Sequence, residues 1–214
     1  MWQSVQDISL LLNRKAPAIR RMLPEKVVEA AVTFLEGATV PSKPDRQYLT
    51  RTILPGLAAL KPKRVLFVGC RKYTKPYEDF FRGSEYWTLE IDPIHSKWGA
   101  PLHKMGDVRH ADDLFPKDHF DLILFNGILG FGINSDADMD QAIVALRRVM
   151  RPNGILLVGW NDGLSSDPLT RPVLQAGFVH EPLDGIPART TFADSEHIFD
   201  LFRARAPGDT KPTA

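Results

Sequence analysis

A lone glycine and an acid 21 positions apart, Gly69 and Glu90, are the first residues in the chain whose types and spacing could do chemistry. Gly69 follows the apolar run Val65 to Val68 in RVLFVGC, a pattern that reads as a buried parallel strand leaving its sheet at a tight turn. Glu90 closes the next such segment, YWTLEIDP (Tyr86 to Pro93). In a nucleotide-binding α/β unit the glycine lets backbone and ligand approach closely, and the carboxylate accepts hydrogen bonds from ribose hydroxyls. The pair therefore points to an adenosine-containing cofactor. Asn126 and Asp162, at the ends of two later strand patterns, are candidates for handling an acceptor. Asp162 has an alternative reading as a turn residue in Asn161-Asp162-Gly163. His95, His103 and His110 fall in or beside the same loops; imidazole suits a base near neutral pH, although surface or structural histidines are commoner. Trp160 and Phe131 could wall an apolar pocket or belong to the core. Cys70 reads as a small buried filler, and Tyr73 either covers a ligand or packs.

These residues need a sheet to hold them. From Arg64 the pattern alternates strand and helix. A helix capped by Thr74, with Pro76 in its first turn, runs to about Arg82. Strand two covers Tyr86 to Ile91, a short third strand ends near Met105, and strand four is Phe120 to Phe125. Ser135 and Asp138 resemble a capping box, and Met139, Ala142, Ile143, Leu146 and Val149 make the buried stripe of the helix behind it. Arg147, Arg148 and Arg151 suit its C-terminus and Pro152 stops it. Strand five is Ile155 to Val158; Asp167-Pro168 opens a short helix that Gly177 closes; strand candidates follow around Phe178 to Glu181 and Ile198 to Arg203. Such repetition implies a mostly parallel sheet with helices on both faces, closed by strands that pair antiparallel, with ligands at the carboxyl ends of the strands.

Residues 1–62 read as a helical extension or cap, 63–205 as the α/β domain and 206–214 as a disordered tail rich in Pro, Gly and Thr. In the extension, Val5, Ile8, Leu11 and Leu12 form one helical stripe, and Val27, Val28, Ala31, Phe34 and Leu35 another, opened by Pro24. A further helix runs from about Asp45 to Leu60, interrupted or kinked near Pro55. The net charge of +1 conceals an asymmetry: residues 1–64 hold 11 Lys/Arg against 5 Asp/Glu, and residues 65–214 hold 16 against 21. The basic segment is either a solvated face complementing an acidic body or a holder of an anionic substrate. No basic run with interleaved aromatics tracks a phosphate backbone, which disfavours nucleic acid. The single cysteine excludes an internal disulfide; no leader, membrane span or metal-ligand set is read, and a cytoplasmic protein is expected.

Taken together, RVLFVGC, LEIDP, GDV (Gly106 to Val108), FDLILFNG (Phe120 to Gly127) and RPNGILLVGW (Arg151 to Trp160) resemble, in order, the motifs of the class I S-adenosylmethionine-dependent methyltransferases, over about two thirds of the chain. The resemblance implies a Rossmann-like, doubly wound sheet of seven strands with the last antiparallel. It further implies S-adenosylmethionine as cofactor, with Glu90 and Ile91 at the ribose and Asp107 with Val108 at the adenine. The backbone of Val68, Gly69 and Cys70, and of Asn126 and Gly127, would hold the methionine part, with Arg71 and Tyr73 in the first loop. Family members usually carry an acid where Phe67 stands and further glycines where Arg71 and Tyr73 stand. Either Arg71 and Lys72 supply charge to the cofactor carboxylate, or the loop has changed ligand; a basic loop at a helix N-terminus also suits a phosphate.

Methyl transfer from a sulfonium asks the protein mainly for orientation and exclusion of water. The expected activity is thus O- or N-methylation of a small-molecule acceptor. Asn126-Gly127-Ile128 differs from the Asp/Asn-Pro-Pro-aromatic motif used on nucleobase amines. The alternatives are a non-catalytic binding module on the same fold and, more weakly, an aminopropyltransferase-like enzyme, which would need a carboxylate where strand four ends in Asn126.

Overall fold

Two apolar runs, Val65 to Val68 and Leu122 to Phe125, are buried on both faces, and they form the centre of the sheet. The computed structural model describes residues 43–206 and 208. The two N-terminal stripes and most of the tail named above lie outside those residues. Strands β1 (Arg64–Val68), β2 (Glu85–Glu90), β3 (Leu102–Met105), β4 (Phe120–Asn126) and β5 (Met150–Asn161) pair in parallel, with β1 between β2 and β4. Strands β6 (Phe178–His180), β7 (Arg189–Phe192) and β8 (Ser195–Ala204) follow. The order is β3-β2-β1-β4-β5-β8-β6, and β8 runs antiparallel to β5 and β6. The topology reverses direction between β1 and β4, which is where such sheets open a crevice at the carboxyl ends.

The structure corrects the sequence reading in several places. The sheet has eight strands, because β7 adds to β8 through a hairpin closed at Phe192 and Ser195. Its loop, Ala193-Asp194, lacks the glycine or asparagine that usually marks a two-residue hairpin turn. Strand β5 starts at Met150, five residues earlier than Ile155; a register shift opposite Phe120 and Leu122 absorbs Pro152 and Asn153, whose φ is +63°. The segment after β1 is a 3₁₀ helix, α2 (Lys72–Phe81), with Arg71 at its N-cap. Thr74 sits one turn in, its hydroxyl donating to Arg71 O at 2.9 Å and accepting from Arg71 N–H at 3.0 Å. The helix after β5 is split into Pro168–Thr170 and Pro172–Gly177.

Helices cover both faces, as the alternation demands. Helix α1 is a single run of Pro44–Tyr48, a π-type turn Leu49–Ile53 and Leu54–Ala59. The wide turn lies just ahead of Pro55, whose missing N–H and bulky ring a regular α-turn would not accommodate. Leu49, Ile53, Leu54 and Leu57 bury against Val65, Phe67, Leu122 and Leu124, with Tyr77 and Phe81 of α2 alongside. On the other face, helix α3 (Asp136–Val149) places Met139, Ala142, Ile143, Leu146 and Val149 against Leu66, Ile123, Phe125 and Leu156. Ser135 caps α3, its hydroxyl accepting from Asp138 N–H at 3.1 Å.

Trp160 belongs to that second core. Its Nε1–H donates to Asp200 Oδ2 at 2.9 Å, and Asp200 is 0% exposed. Arg189 donates to the same carboxylate through Nε (2.7 Å) and Nη2 (2.9 Å), and to Asp167 through both Nη atoms. One buried acid thus ties β5, β7, β8 and the loop after β5. Asp200→Asn would turn an amide N–H₂ toward these donors and leave Arg189 half paired, at a cost of about 3–5 kcal/mol. Thermal melting is expected to fall by roughly 10 °C; an unchanged melt would show that the network contributes nothing.

Candidate active site

At the tip of β1, Gly69 has φ +85° and donates its N–H to Leu89 O at 2.8 Å. A Cβ there would sit 2.4 Å from Ile128 Cδ1, so the turn leaves no room for a side chain. Glu90 at the neighbouring tip is 5% exposed. Its Oε2 accepts from Cys70 N–H at 2.6 Å and its Oε1 from Asp92 N–H at 2.8 Å. Arg71 Nη1 lies 3.5 Å from the same Oε2 and donates to Cys70 O at 2.7 Å. Glu90 therefore laces the two loops together; its Oε2 accepts twice, and Oε1 keeps a second lone pair. Burial, then the Glu90 charge, pushes the Cys70 thiol up to about 12, so it is an unreactive filler.

Asp107 is similarly engaged. Its Oδ1 accepts from Arg109 N–H at 2.9 Å and its Oδ2 from Arg109 Nε and Nη2 at 2.9 and 2.5 Å, while Nη1 reaches Asp138. Desolvation pulls the carboxyl upward, but the Arg109 hydrogen bonds and charge outweigh it and hold it below the ordinary value. Val108 and Val68 are buried in the core behind these loops. Ile91 is 60% exposed and Met105 44%, two apolar side chains standing at the tips of β2 and β3.

Beyond β4 the structure assembles a group that the sequence reading only half anticipated. Asn126 is buried, and its Oδ1 lies 3.0 Å from His197 Nε2; His197 Nδ1 lies 2.5 Å from Asn161 Oδ1. Burial, reinforced by the Arg46 and Lys43 charges, holds the His197 imidazole well below the ordinary histidine value. A neutral imidazole donates once and accepts once, so one of the two amides must turn its N–H₂ toward the ring. His197 and Asn161 went unnoticed in the sequence because the link is a strand register, Asn161 opposite His197. The usable signal was the alternation His197, Phe199, Leu201 along one face of β8. Asp162, one residue on from Asn161, is exposed and accepts from Gly163 N–H at 3.0 Å as a turn residue. It is not brought to Asn126. Gly127 (φ +72°) is, and its N–H is held by Gly159 O at 2.8 Å. Of the other histidines, His103 bonds Thr88 at 2.8 Å within the sheet and His110 is exposed.

The start of α1 reaches the same place. Asp45 and Arg46 are both buried, with Asp45 Oδ1 accepting from Ser195 Oγ at 3.3 Å. The Arg46 guanidinium lies 5.4 Å from the centre of the Tyr73 ring, and its Nη2 is 3.9 Å from where a Cβ on Gly127 would be. Tyr77 stands close enough for the Arg46 charge to act on its hydroxyl, whose value burial nevertheless pushes up to about 12. The loops after β1 and β4, the end of β5 and the start of β8 and α1 thus converge on one crevice wall.

No family model and no curated protein sequence matches the chain. Solved structures do match. The N-methyltransferase NodS from Bradyrhizobium japonicum is 16% identical with a TM-score of 0.58, covering 78% of this chain and 99% of that one; NodS is also solved with S-adenosyl-L-homocysteine. A TehB-like S-adenosylmethionine-dependent methyltransferase from Corynebacterium glutamicum is 17% identical with a TM-score of 0.55, covering 75% and 94%. The [4+2]-cyclase SpnF is 16% identical with a TM-score of 0.52, covering 72% and 81%. The chain has the fold of the class I S-adenosylmethionine-dependent methyltransferases, as the order of its sequence motifs implied.

Two outcomes test the buried triad. A methyl at Gly159 would sit 1.9 Å from Asn126 Oδ1 and 2.9 Å from His197 Nε2, so Gly159→Ala should cost about 1–3 kcal/mol by overpacking, read by urea denaturation. His197 is neutral when folded, whereas the unfolded chain takes up its proton near pH 6.5. Below that pH the unfolded state binds the extra proton, so stability falls on acidification until the lower folded value is reached. Between pH 6.5 and 5 the wild type should lose up to about 1.4 kcal/mol per pH unit more than His197→Gln; equal slopes would show that His197 titrates freely in the fold.

Proposed function

We propose that the protein is an S-adenosylmethionine-dependent methyltransferase acting on a small-molecule acceptor by O- or N-methylation. The observation that carries this reading is the buried Glu90 carboxylate at the tip of β2, beside the Gly69 turn and with a lone pair to spare on Oε1. The surrounding residues fit such a cofactor. Glu90 would accept from the ribose hydroxyls, the exposed Ile91 and Met105 would cover an adenine face, and the close turns at Gly69 and Gly127 would let backbone approach the amino-acid end. When bound, the cofactor supplies an activated methyl group on sulfur. The chain supplies orientation: Asn126, fixed by neutral His197, would present its remaining amide atoms to the acceptor, and α1 with the rest of residues 1–62 would shield the crevice from water. Asp162 is a poorer candidate than Asn126 for the acceptor, given its exposure and its turn hydrogen bond.

A second reading has specific support. Arg71 lies on Glu90 and Arg109 on Asp107, so both carboxylates implied for adenosine already carry an arginine. A binding module with another ligand would be built this way, and the [4+2]-cyclase SpnF has a similar fold.

Calorimetric titration with S-adenosylmethionine and S-adenosylhomocysteine separates the two. Micromolar binding by the wild type, weakened at least tenfold in Ile91→Glu, is expected of the enzyme. Ile91 is exposed, so that variant should keep its melting temperature. No heat and no thermal stabilisation with either ligand would remove the methyltransferase reading.

A further inference from the structure

We propose that Arg46 is a carboxylate-binding residue of the crevice, holding either the amino-acid carboxylate of the cofactor or a carboxylate on the acceptor. The inference rests in part on the methyltransferase reading and concerns a residue that no sequence motif marks.

The cations around the strand ends differ in how fully they are used. Arg71 is held by Glu90 and Cys70 O, Arg109 by Asp107 and Asp138, and Lys75 by Gly99 O and Glu78. Arg46 is only 4% exposed, yet its Nε has no hydrogen-bond partner among the described residues. Its ion-pair partner among the described residues is Asp45, at 3.4 Å from that Nε and out of line for a hydrogen bond. A guanidinium removed from water and left with an idle donor is costly, which makes it either a strain in the fold or a site awaiting a ligand.

The surroundings favour a ligand. The Tyr73 ring lies against the guanidinium, 5.4 Å from its centroid, and Nη2 lies beside the left-handed turn at Gly127. A planar fork held in place matches the two oxygens of a carboxylate. Asp45 already balances one charge, which suits a monoanion better than a doubly charged phosphate. Arg46 also belongs to the basic N-terminal segment, where the charge asymmetry had left an anionic substrate open.

The test compares S-adenosylhomocysteine with 5′-methylthioadenosine, which keeps the nucleoside and thioether but lacks the amino-acid end. If the cofactor is the source, Arg46→Met should weaken S-adenosylhomocysteine at least about tenfold, Arg46→Lys less, and 5′-methylthioadenosine within twofold. If the acceptor is the source, S-adenosylhomocysteine binding is unchanged, and benzoate, but not benzamide, stabilises the wild type and fails to stabilise Arg46→Met. Equal loss for both nucleosides, or no change in any arm, overturns the proposal and leaves Arg46 structural. Should Arg46→Met not fold, arginine Nε–H signals of ¹⁵N-labelled wild type serve instead, with Arg46 assigned from Arg46→Lys. Arg46 must then shift with S-adenosylhomocysteine or benzoate and stay still with 5′-methylthioadenosine and benzamide. Failure of the wild type to bind either nucleoside would remove the methyltransferase reading while the benzoate arm still decides on Arg46.

Discussion

Antiparallel pairing of β8 with β5 is the constraint on which both polar networks depend. Once Trp160 faces Ile198 and Asn161 faces His197, the two-residue period sends His197, Phe199 and Leu201 to one face and Asp200 with Phe202 to the other. On the first face His197 fixes Asn126 and Asn161 under the start of α1. On the second, Asp200 gathers Trp160, His180 and Arg189. A slip of one residue would drive an aspartate under α1 and a histidine into the Trp160 core. The register is therefore set by polar groups with single acceptable partners as much as by apolar packing.

The tips of β2 and β3 follow a different economy. Glu90 and Asp107 each stabilise their own loop by accepting backbone N–H groups. Where further glycines would have let the first loop wrap a ligand by itself, Arg71 stiffens it through Cys70 O and Glu90. The loop gains rigidity and positive charge and loses some backbone freedom.

Much of the fold was legible because its central strands are short continuous apolar runs, and because Gly69 ends the first of them and Ser135 opens the long helix. The β7 hairpin was not, since Arg189-Thr190-Thr191-Phe192 alternates weakly and turns on Ala193-Asp194. The candidate site was half legible. Gly69, Glu90, Asp107 and Asn126 announce themselves by following strands, whereas Asn161 and His197 matter only through partners 36 and 71 residues away, and Arg46 through the Tyr73 ring of another helix. Asp162 shows how narrow the margin is: one step along β5 decides between the triad and a solvent-facing turn. Trp160 was placed correctly at a strand end, but its indole N–H commits it to the core.

The contact between Ser195 and Asp45 spans 150 residues, nearly the whole of the described chain. During synthesis on the ribosome, which proceeds from the N-terminus, α1 and β1 to β5 all emerge before the strand that completes their crevice. Until β8 arrives, β5 is an open edge carrying Ile155, Leu156, Leu157 and Val158, the kind of surface that recruits other unfinished chains. The strand that completes the crevice wall also seals the sheet, so a chain interrupted inside β8 would be left with that adhesive edge.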